Sequence, residues 1–266
     1  MSSSSGPTGR LLVDEPAPHV ARLTISNPAK RGALDQAILD ALAATMAQLD
    51  ARCVIITGEH RMFSAGYDIG DLPDEVFADE AEKLVAHPFA AAIDAVEAYP
   101  FPTVAALNGH TIGGGLELAL SCDLRIAADH VKLGMPPGKL GLVYSHTGIK
   151  KFIDAIGAPR TRELFLVGGR IDAATAREWG LVGTVTPDGR LAEAALALAR
   201  ELAANAPLAQ RGNKRVIRAV LDGPAALPPE VERELLELRT ASFASADFRE
   251  GVHAFAEKRA PRWTGR

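Results

Sequence analysis

Cysteine is scarce in this sequence: Cys53 and Cys122 are its only two, and both sit in apolar stretches, RCVIITG and LALSCDL. They read as small buried hydrophobes of a reducing compartment, so a cytoplasmic protein is expected. A basic surplus is missing as well. The formal net charge of −4 leaves little to hold a phosphate backbone, which argues against a nucleic-acid partner. No uninterrupted apolar run reaches membrane-spanning length, so no membrane is expected either. The opening MSSSSGPTGR has no apolar centre, does not read as a signal peptide or anchor, and suggests a disordered tail over residues 1–10. There is no internal repeat, and no His/Cys/Asp cluster has metal-ligand spacing, so no metal is expected.

What is present suits a soluble enzyme. The chain has 266 residues, 47% hydrophobic and 23% charged, enough for one large core or a core with a smaller appendage. VARLTIS, CVIITG, TVAALNG, DLRIAA and LVGTV have strand composition, and helices are expected at about 36–50 and 78–98. Short strands alternating with helices predict an α/β fold with parallel pairing. After about residue 187 the pattern turns helical, which predicts a core over 11–200 and a helical region over 201–266, serving as a lid or an oligomer interface.

The stretch NGHTIGGGLELALSCDLRIA, residues 108–127, carries two liabilities at once. Each glycine fixed in a helix costs roughly 1 kcal/mol relative to alanine, and a carboxylate among apolar residues is costly unless it is paired, neutralised or used. The order strand, glycines, helix puts backbone N–H groups at a helix N-terminus, where they and the helix dipole stabilise negative charge. Neither G-x-x-x-x-G-K-[ST] nor G-x-G-x-x-G is present, so a small oxyanion suits the site better than a phosphate chain. Glu117 falls three residues after Gly114, on the same face of the first turn. It is read here as a proton-moving carboxylate beside that oxyanion, against the alternative of a surface acid near a helix N-terminus. MFSAGYDIGDLP, residues 62–73, offers a second donor, the Tyr67 N–H after the small Ala65-Gly66 turn.

With NPAKRGALD, FSAGYDI, VAALNGHTIGGGLELALSCDLRIA, LGMPPGKLGL, AREWGLVGTV and FREGVHAFAEKRAPRW in order along nearly the whole chain, the sequence resembles the crotonase superfamily, the enoyl-CoA hydratase/isomerase family. One departure is Gly32, where that family usually has asparagine. The resemblance implies a spiral of repeated ββα turns followed by a C-terminal helical trimerisation region, in trimers or dimers of trimers. It implies an acyl-CoA thioester whose carbonyl accepts from the N–H groups of Tyr67 and Gly114, with coenzyme A as the substrate carrier and no tightly bound cofactor. Glu117 falls where the family keeps a catalytic glutamate. By the same carry-over Lys30, Arg31 and Ala33 line the CoA entrance, Phe255 and Lys258 meet its adenine and phosphate end, and Ala65, Asp68, Ile69, Gly113, Pro136, Pro137 and Leu140 complete the binding site.

Hydratases of this family hold a water between two glutamates, and the second would fall at Pro137, which has nothing to titrate. SAGYDIGDLP and MPPGKLGLVYS instead resemble the methylmalonyl-CoA decarboxylase branch, which also lacks the second glutamate and has a tyrosine at the position of Tyr144, although it usually has histidine where this chain has Tyr67. Loss of CO2 leaves the electron pair behind, so it needs an oxyanion site, an oriented carboxylate and a later proton donor, but no base. In this reading Tyr144 orients the carboxylate, and Glu117, if burial keeps it neutral, returns the proton. The alternative for Tyr144 is a pocket-lining aromatic with its hydroxyl at the rim. His110 and His146 lie nearby and are read as hydrogen-bonded structural residues. Three functions stay open: decarboxylation of a short malonyl-type CoA thioester, hydration or isomerisation by Glu117 alone, and non-catalytic binding of acyl-CoA or RNA.

Overall fold

The computed structural model describes residues 9–68, 87–187, 189–205, 207–221, 229–259 and 261–262. Two sheets organise them. The larger runs in the order β1 (Arg10–Ala17), β2 (Val20–Ser26), β3 (Cys53–Gly58), β5 (Thr103–Leu107), β7 (Leu124–Ala128) and β10 (Thr184–Thr186). The smaller is β4 (Met62–Ser64), β6 (His110–Ile112), β8 (Lys132–Gly134) and β9 (Arg170–Asp172). β1 pairs antiparallel with β2 at one edge of the large sheet and β9 antiparallel with β8 in the small one, while the pairs between them are parallel.

From Cys53 onward the chain alternates between the sheets: β3, β5 and β7 join the large one, and β4, β6 and β8, each a few residues later, join the small one. A helix follows each pair: α2 (His87–Ala98), α3 (Gly114–Ser121) and α4 (His146–Arg162). These are three ββα turns of a spiral, as the resemblance implies. The sequence accounts for it locally. CVIITG and TVAAL are near-continuous apolar runs, which fit strands buried on both faces of a parallel sheet. α1 (Gln36–Gln48) starts on Asp35, whose side chain accepts from the Ile38 N–H at 2.9 Å. Asn108, just after β5, ties two turns together by accepting from the Gly58 N–H at 2.9 Å and donating to the His60 carbonyl at 2.8 Å.

The rest of the chain adds α5 (Ala173–Trp179), α6 (Leu191–Ala204), α7 (Pro207–Leu221), α8 (Pro229–Ala244) and α9 (Ala246–Ala256). The division at 200/201 falls inside α6, whose buried residues Leu191, Ala195, Ala199 and Ala203 belong to the main core, so this helix goes with the spiral. Gly9 and Arg10, assigned by composition to the tail, take part in the fold: the Gly9 N–H donates to Asp35 at 2.7 Å, and Arg10 opens β1. β1 has no counterpart in the sequence reading, because its residues RLLVDEPA alternate weakly and stay mostly exposed. The first part of the helix expected at 78–98 lies outside the described residues. No helix among the described residues is long and apolar enough to cross a membrane.

Candidate active site

Helix α3 begins on Gly113, at φ 56°, with no side chain to cap it. The Gly113 N–H is spent on the Gly134 carbonyl at 2.9 Å, and the Gly113 carbonyl accepts from Leu116 and Glu117 at 2.9 and 3.2 Å. Gly114 is the first residue of the helix, so its N–H has no intrahelical acceptor. The turn carrying Tyr67 comes directly against it. Gly66 sits at φ +98°, and a Cβ there would lie 3.0 Å from the Ile112 carbonyl oxygen and 3.2 Å from the Gly114 nitrogen. Only glycine tolerates both that backbone and that approach. The turn that carries Tyr67 is therefore packed against the N-terminus of α3.

The stretch 30–34 positions this turn. Ala65 N–H donates to the Arg31 carbonyl at 3.2 Å, Leu34 N–H to the Gly66 carbonyl at 2.8 Å, and Asp68 N–H to the Leu34 carbonyl at 3.1 Å. The Lys30 ammonium closes the strip with an ion pair to Asp68 at 2.8 Å. Ala33 is buried, with its carbonyl accepting from the Asn27 side chain at 2.9 Å, whereas Arg31 is exposed. Gly32 adopts φ +68°, the left-handed region that glycine and asparagine tolerate best, which accounts for glycine standing where asparagine is usual.

Glu117 is 4% exposed and is the one carboxylate among the described buried residues. The Tyr144 hydroxyl donates to its Oε2. Tyr144 is itself 8% exposed, and its ring meets Phe165 edge-on with centroids 5.6 Å apart. Burial first, and then the charge of Glu117, raise the Tyr144 phenol well above its ordinary range, so it acts as a hydrogen-bond donor and never as a free phenolate. A third group extends this pair. The Tyr67 hydroxyl lies 3.3 Å from the Tyr144 hydroxyl, the two rings are stacked at 6.5 Å, and Phe89 of α2 meets Tyr67 edge-on at 4.5 Å.

Four features of this cluster have no signal in the sequence. Gly148, in the first turn of α4, leaves the space that Tyr144 and Glu117 fill: a Cβ there would be 2.6 Å from Tyr144 Cε1 and 3.0 Å from Glu117 Oε1. Phe89 and Phe165 look like ordinary core aromatics. Nothing in the sequence spacing puts the Tyr67 side chain beside Tyr144, since the reading concerned only the Tyr67 N–H.

Pro137 is buried and opens a short 3₁₀ turn to Leu140, with Pro136 before it. α9 packs on this turn closely enough that a Cβ on Gly251 would lie 2.4 Å from the Leu140 carbonyl oxygen. Phe255, 71% exposed, lies in the last turn of that helix, and Lys258, also exposed, follows its end. Ile69 lies outside the described residues. His110 Nδ1 accepts from the Lys132 N–H at 3.2 Å, and burial, followed by the charge of Arg170, lowers its pKa, which suits a neutral residue linking β6 to β8. His146 is partly buried at the start of α4. Cys53 and Cys122 are buried free thiols, each pushed up to about 12 chiefly by burial.

The uncapped start of α3 presents backbone N–H groups that can stabilise a negative oxygen, and the same helix carries Glu117, whose bond to Tyr144 forms a carboxyl–phenol pair able to move a proton. Known proteins are similar to this chain in sequence and fold. Residues 15–266 match the enoyl-CoA hydratase/isomerase family. A probable enoyl-CoA hydratase of Mycobacterium tuberculosis is 34% identical over 251 residues, 93% of this chain and 95% of that one. Among solved structures, methylmalonyl-CoA decarboxylase in complex with 2-nitronate-propionyl-CoA aligns with a TM-score of 0.87 at 26% identity, over 96% of this chain and 98% of that one. An enoyl-CoA hydratase from Bacillus anthracis aligns at 0.73 and 30% identity, over 96% and 99%.

Proposed function

The chain belongs to the enoyl-CoA hydratase/isomerase family, and we propose that within it the protein decarboxylates a short malonyl-type CoA thioester. One observation carries this reading: Glu117 is the single buried carboxylate among the described residues and is bonded to Tyr144, and by the family resemblance the place of the second glutamate of the hydratases falls to Pro137, which has nothing to titrate. The higher structural similarity to methylmalonyl-CoA decarboxylase than to the B. anthracis hydratase supports it.

In this scheme the thioester oxygen accepts from the N–H groups of Tyr67 and Gly114. As the C–CO2 bond breaks, its electron pair forms the enolate, and the two donors stabilise the charge by about 3 to 4 kcal/mol each. Tyr144 has a single proton, so it cannot serve Glu117 and a substrate carboxylate together. Glu117 must therefore be neutral when this substrate binds. It then donates to the Tyr144 oxygen, and the Tyr144 proton turns to the substrate carboxylate. A neutral Glu117 also removes the repulsion that two carboxylates would feel. Lys30 and Arg31 would meet the CoA phosphates at the entrance, and Phe255 and Lys258 its adenine end. The helices α7 to α9, with Val216, Ile217 and Leu221 exposed on α7, would form the trimer contacts of a cytoplasmic enzyme.

A second reading, hydration with Glu117 as the sole acid and base, is favoured by the name of the M. tuberculosis relative. The two separate when crotonyl-CoA and methylmalonyl-CoA are offered side by side and followed by mass spectrometry. CO2 loss without hydration supports the decarboxylase. Hydration without CO2 loss overturns it.

A further inference from the structure

The Tyr67 side chain has no part in the scheme above, which uses only its N–H, yet its hydroxyl belongs to a chain of three groups that runs to Glu117. Tyr144 donates to Glu117 Oε2, and the Tyr67 hydroxyl is 3.3 Å from that of Tyr144. Each phenol has one proton, so the direction of the chain is set by its end. When Glu117 is ionised, Tyr67 donates to Tyr144 and Tyr144 to Glu117. When Glu117 is neutral and CO2 has left, so that Tyr144 no longer donates to a substrate carboxylate, the order reverses, and the Tyr67 proton is the one to give away.

The ring that carries the far hydroxyl packs against Gly114. A Cβ built on Gly114 would lie 2.8, 3.0 and 3.1 Å from Tyr67 Cε1, Cδ1 and Cζ, so the phenol ring covers the residue whose N–H would hold the thioester oxygen. The α-carbon of such a thioester is two bonds from that oxygen. Tyr144 is deeper, nearly enclosed and flanked by Phe165, while Tyr67 is only half-buried and held edge-on by Phe89.

We propose that Tyr67 is a catalytic proton donor, delivering to the enolate α-carbon a proton supplied by Glu117 through Tyr144. The enolate electron pair forms the new C–H bond as the Tyr67 O–H bond breaks. The Tyr67 oxygen takes the Tyr144 proton and the Tyr144 oxygen takes that of Glu117. One proton has moved, and Glu117 is left as the carboxylate, to be reprotonated from water. The transfers run in concert, because a phenolate at Tyr144 is strongly disfavoured in this enclosed setting. Run backwards, the relay removes an α-proton from a saturated acyl-CoA.

This inference rests on the acyl-CoA enolate chemistry proposed above, and it is tested without decarboxylation. Propionyl-CoA is incubated with the enzyme in D2O and deuterium at its α-carbon is followed by NMR. The wild-type protein is expected to exchange one α-position stereoselectively. Tyr67→Phe keeps the ring and the backbone N–H, and is expected to slow exchange by about 100-fold or more, far beyond any change in the dissociation constant for propionyl-CoA measured by calorimetry. Tyr144→Phe and Glu117→Gln are expected to slow it comparably. Wild-type-like exchange by Tyr67→Phe, or no exchange by the wild-type protein, overturns the relay. CO2 loss from methylmalonyl-CoA without exchange sinks the relay and leaves the decarboxylase standing. Exchange without CO2 loss does the reverse.

Discussion

The Tyr144 hydroxyl donates to Glu117 Oε2 inside the core, between residues 27 positions apart in the chain. A buried carboxylate that loses its donor is left with an unsatisfied oxygen, at a cost of about 1–3 kcal/mol or more. Tyr144→Phe is therefore expected to lower the unfolding midpoint in urea as well as activity. A variant that loses neither would remove Tyr144 from both roles. If Tyr144 also orients the carboxylate, the loss falls on methylmalonyl-CoA more than on crotonyl-CoA.

Replacing Glu117 by glutamine distinguishes the two reactions. Hydration that depends on Glu117 as its base is expected to fall by about two orders of magnitude or more. CO2 loss needs no base, and in Glu117→Gln it is expected to fall less, with the product proton now coming from water. Equal collapse of both rates would argue that Glu117 acts on bond breaking itself.

Gly148 offers a steric test. One methyl placed 2.6 Å from Tyr144 Cε1 and 3.0 Å from Glu117 Oε1 must push both aside. Overpacking of this kind costs about 1–3 kcal/mol in stability. Gly148→Ala is expected to reduce kcat by about tenfold or more, since misplacement of reacting groups is costly in rate. Wild-type kcat in this variant would show that the carboxyl–phenol pair tolerates displacement.

The Lys30–Asp68 pair is partly exposed, with side-chain exposures of 38% and 16%. Such pairs contribute about 0–1 kcal/mol. Lys30→Met is thus expected to leave the melting temperature nearly unchanged while weakening acyl-CoA binding in a salt-dependent way. Binding that stays unaltered at low salt would take Lys30 out of the CoA entrance.

Alkaline pH probes the core. Cys53 and Cys122 are held up to about 12 from an ordinary 9.0, chiefly by burial. Above about pH 9 the unfolded chain sheds these protons while the folded chain keeps them, so stability present below that pH is lost as pH rises toward 12. Tyr99 and Tyr144 are raised in the same direction, burial first, and add to the loss above about pH 10. Each group contributes a slope of up to about 1.4 kcal/mol per pH unit. The urea midpoint is expected to be level from about pH 7 to 8.5 and to fall steadily above 9. A Cys53→Ala/Cys122→Ala protein, though less stable at neutral pH, should show a shallower fall.

Much of the framework was written locally. CVIITG and TVAAL announce buried strands because continuous β-branched and small apolar residues suit a parallel sheet. The glycines before LELALS announce an uncapped helix start, and Glu117 stands out because an acid among apolar residues must be accounted for. The order of the motifs along the chain was sufficient to indicate the family. β1 was missed because an exposed edge strand has little alternation to show, and the division at 200 falls inside α6 because a continuous helical pattern after about residue 187 does not show which helices pack on the core.

Read by itself, the amino-acid order indicated an α/β fold with parallel pairing through its periodicity, and two candidate backbone donors and a candidate carboxyl through glycine placement and an acid among apolar residues. The ββα spiral followed from the resemblance of the motifs to the family. Only the tertiary structure decided that Tyr67 and Tyr144, 77 residues apart, would bring their hydroxyls together in a chain to Glu117, with the Tyr67 ring against Gly114. The same holds for Gly148, whose missing side chain makes room for that line, and for Phe89, which holds the Tyr67 ring. Their partners come from different turns of the spiral. A side chain's spacing along its own element fixes which face it occupies, but packing between turns fixes which distant group it meets.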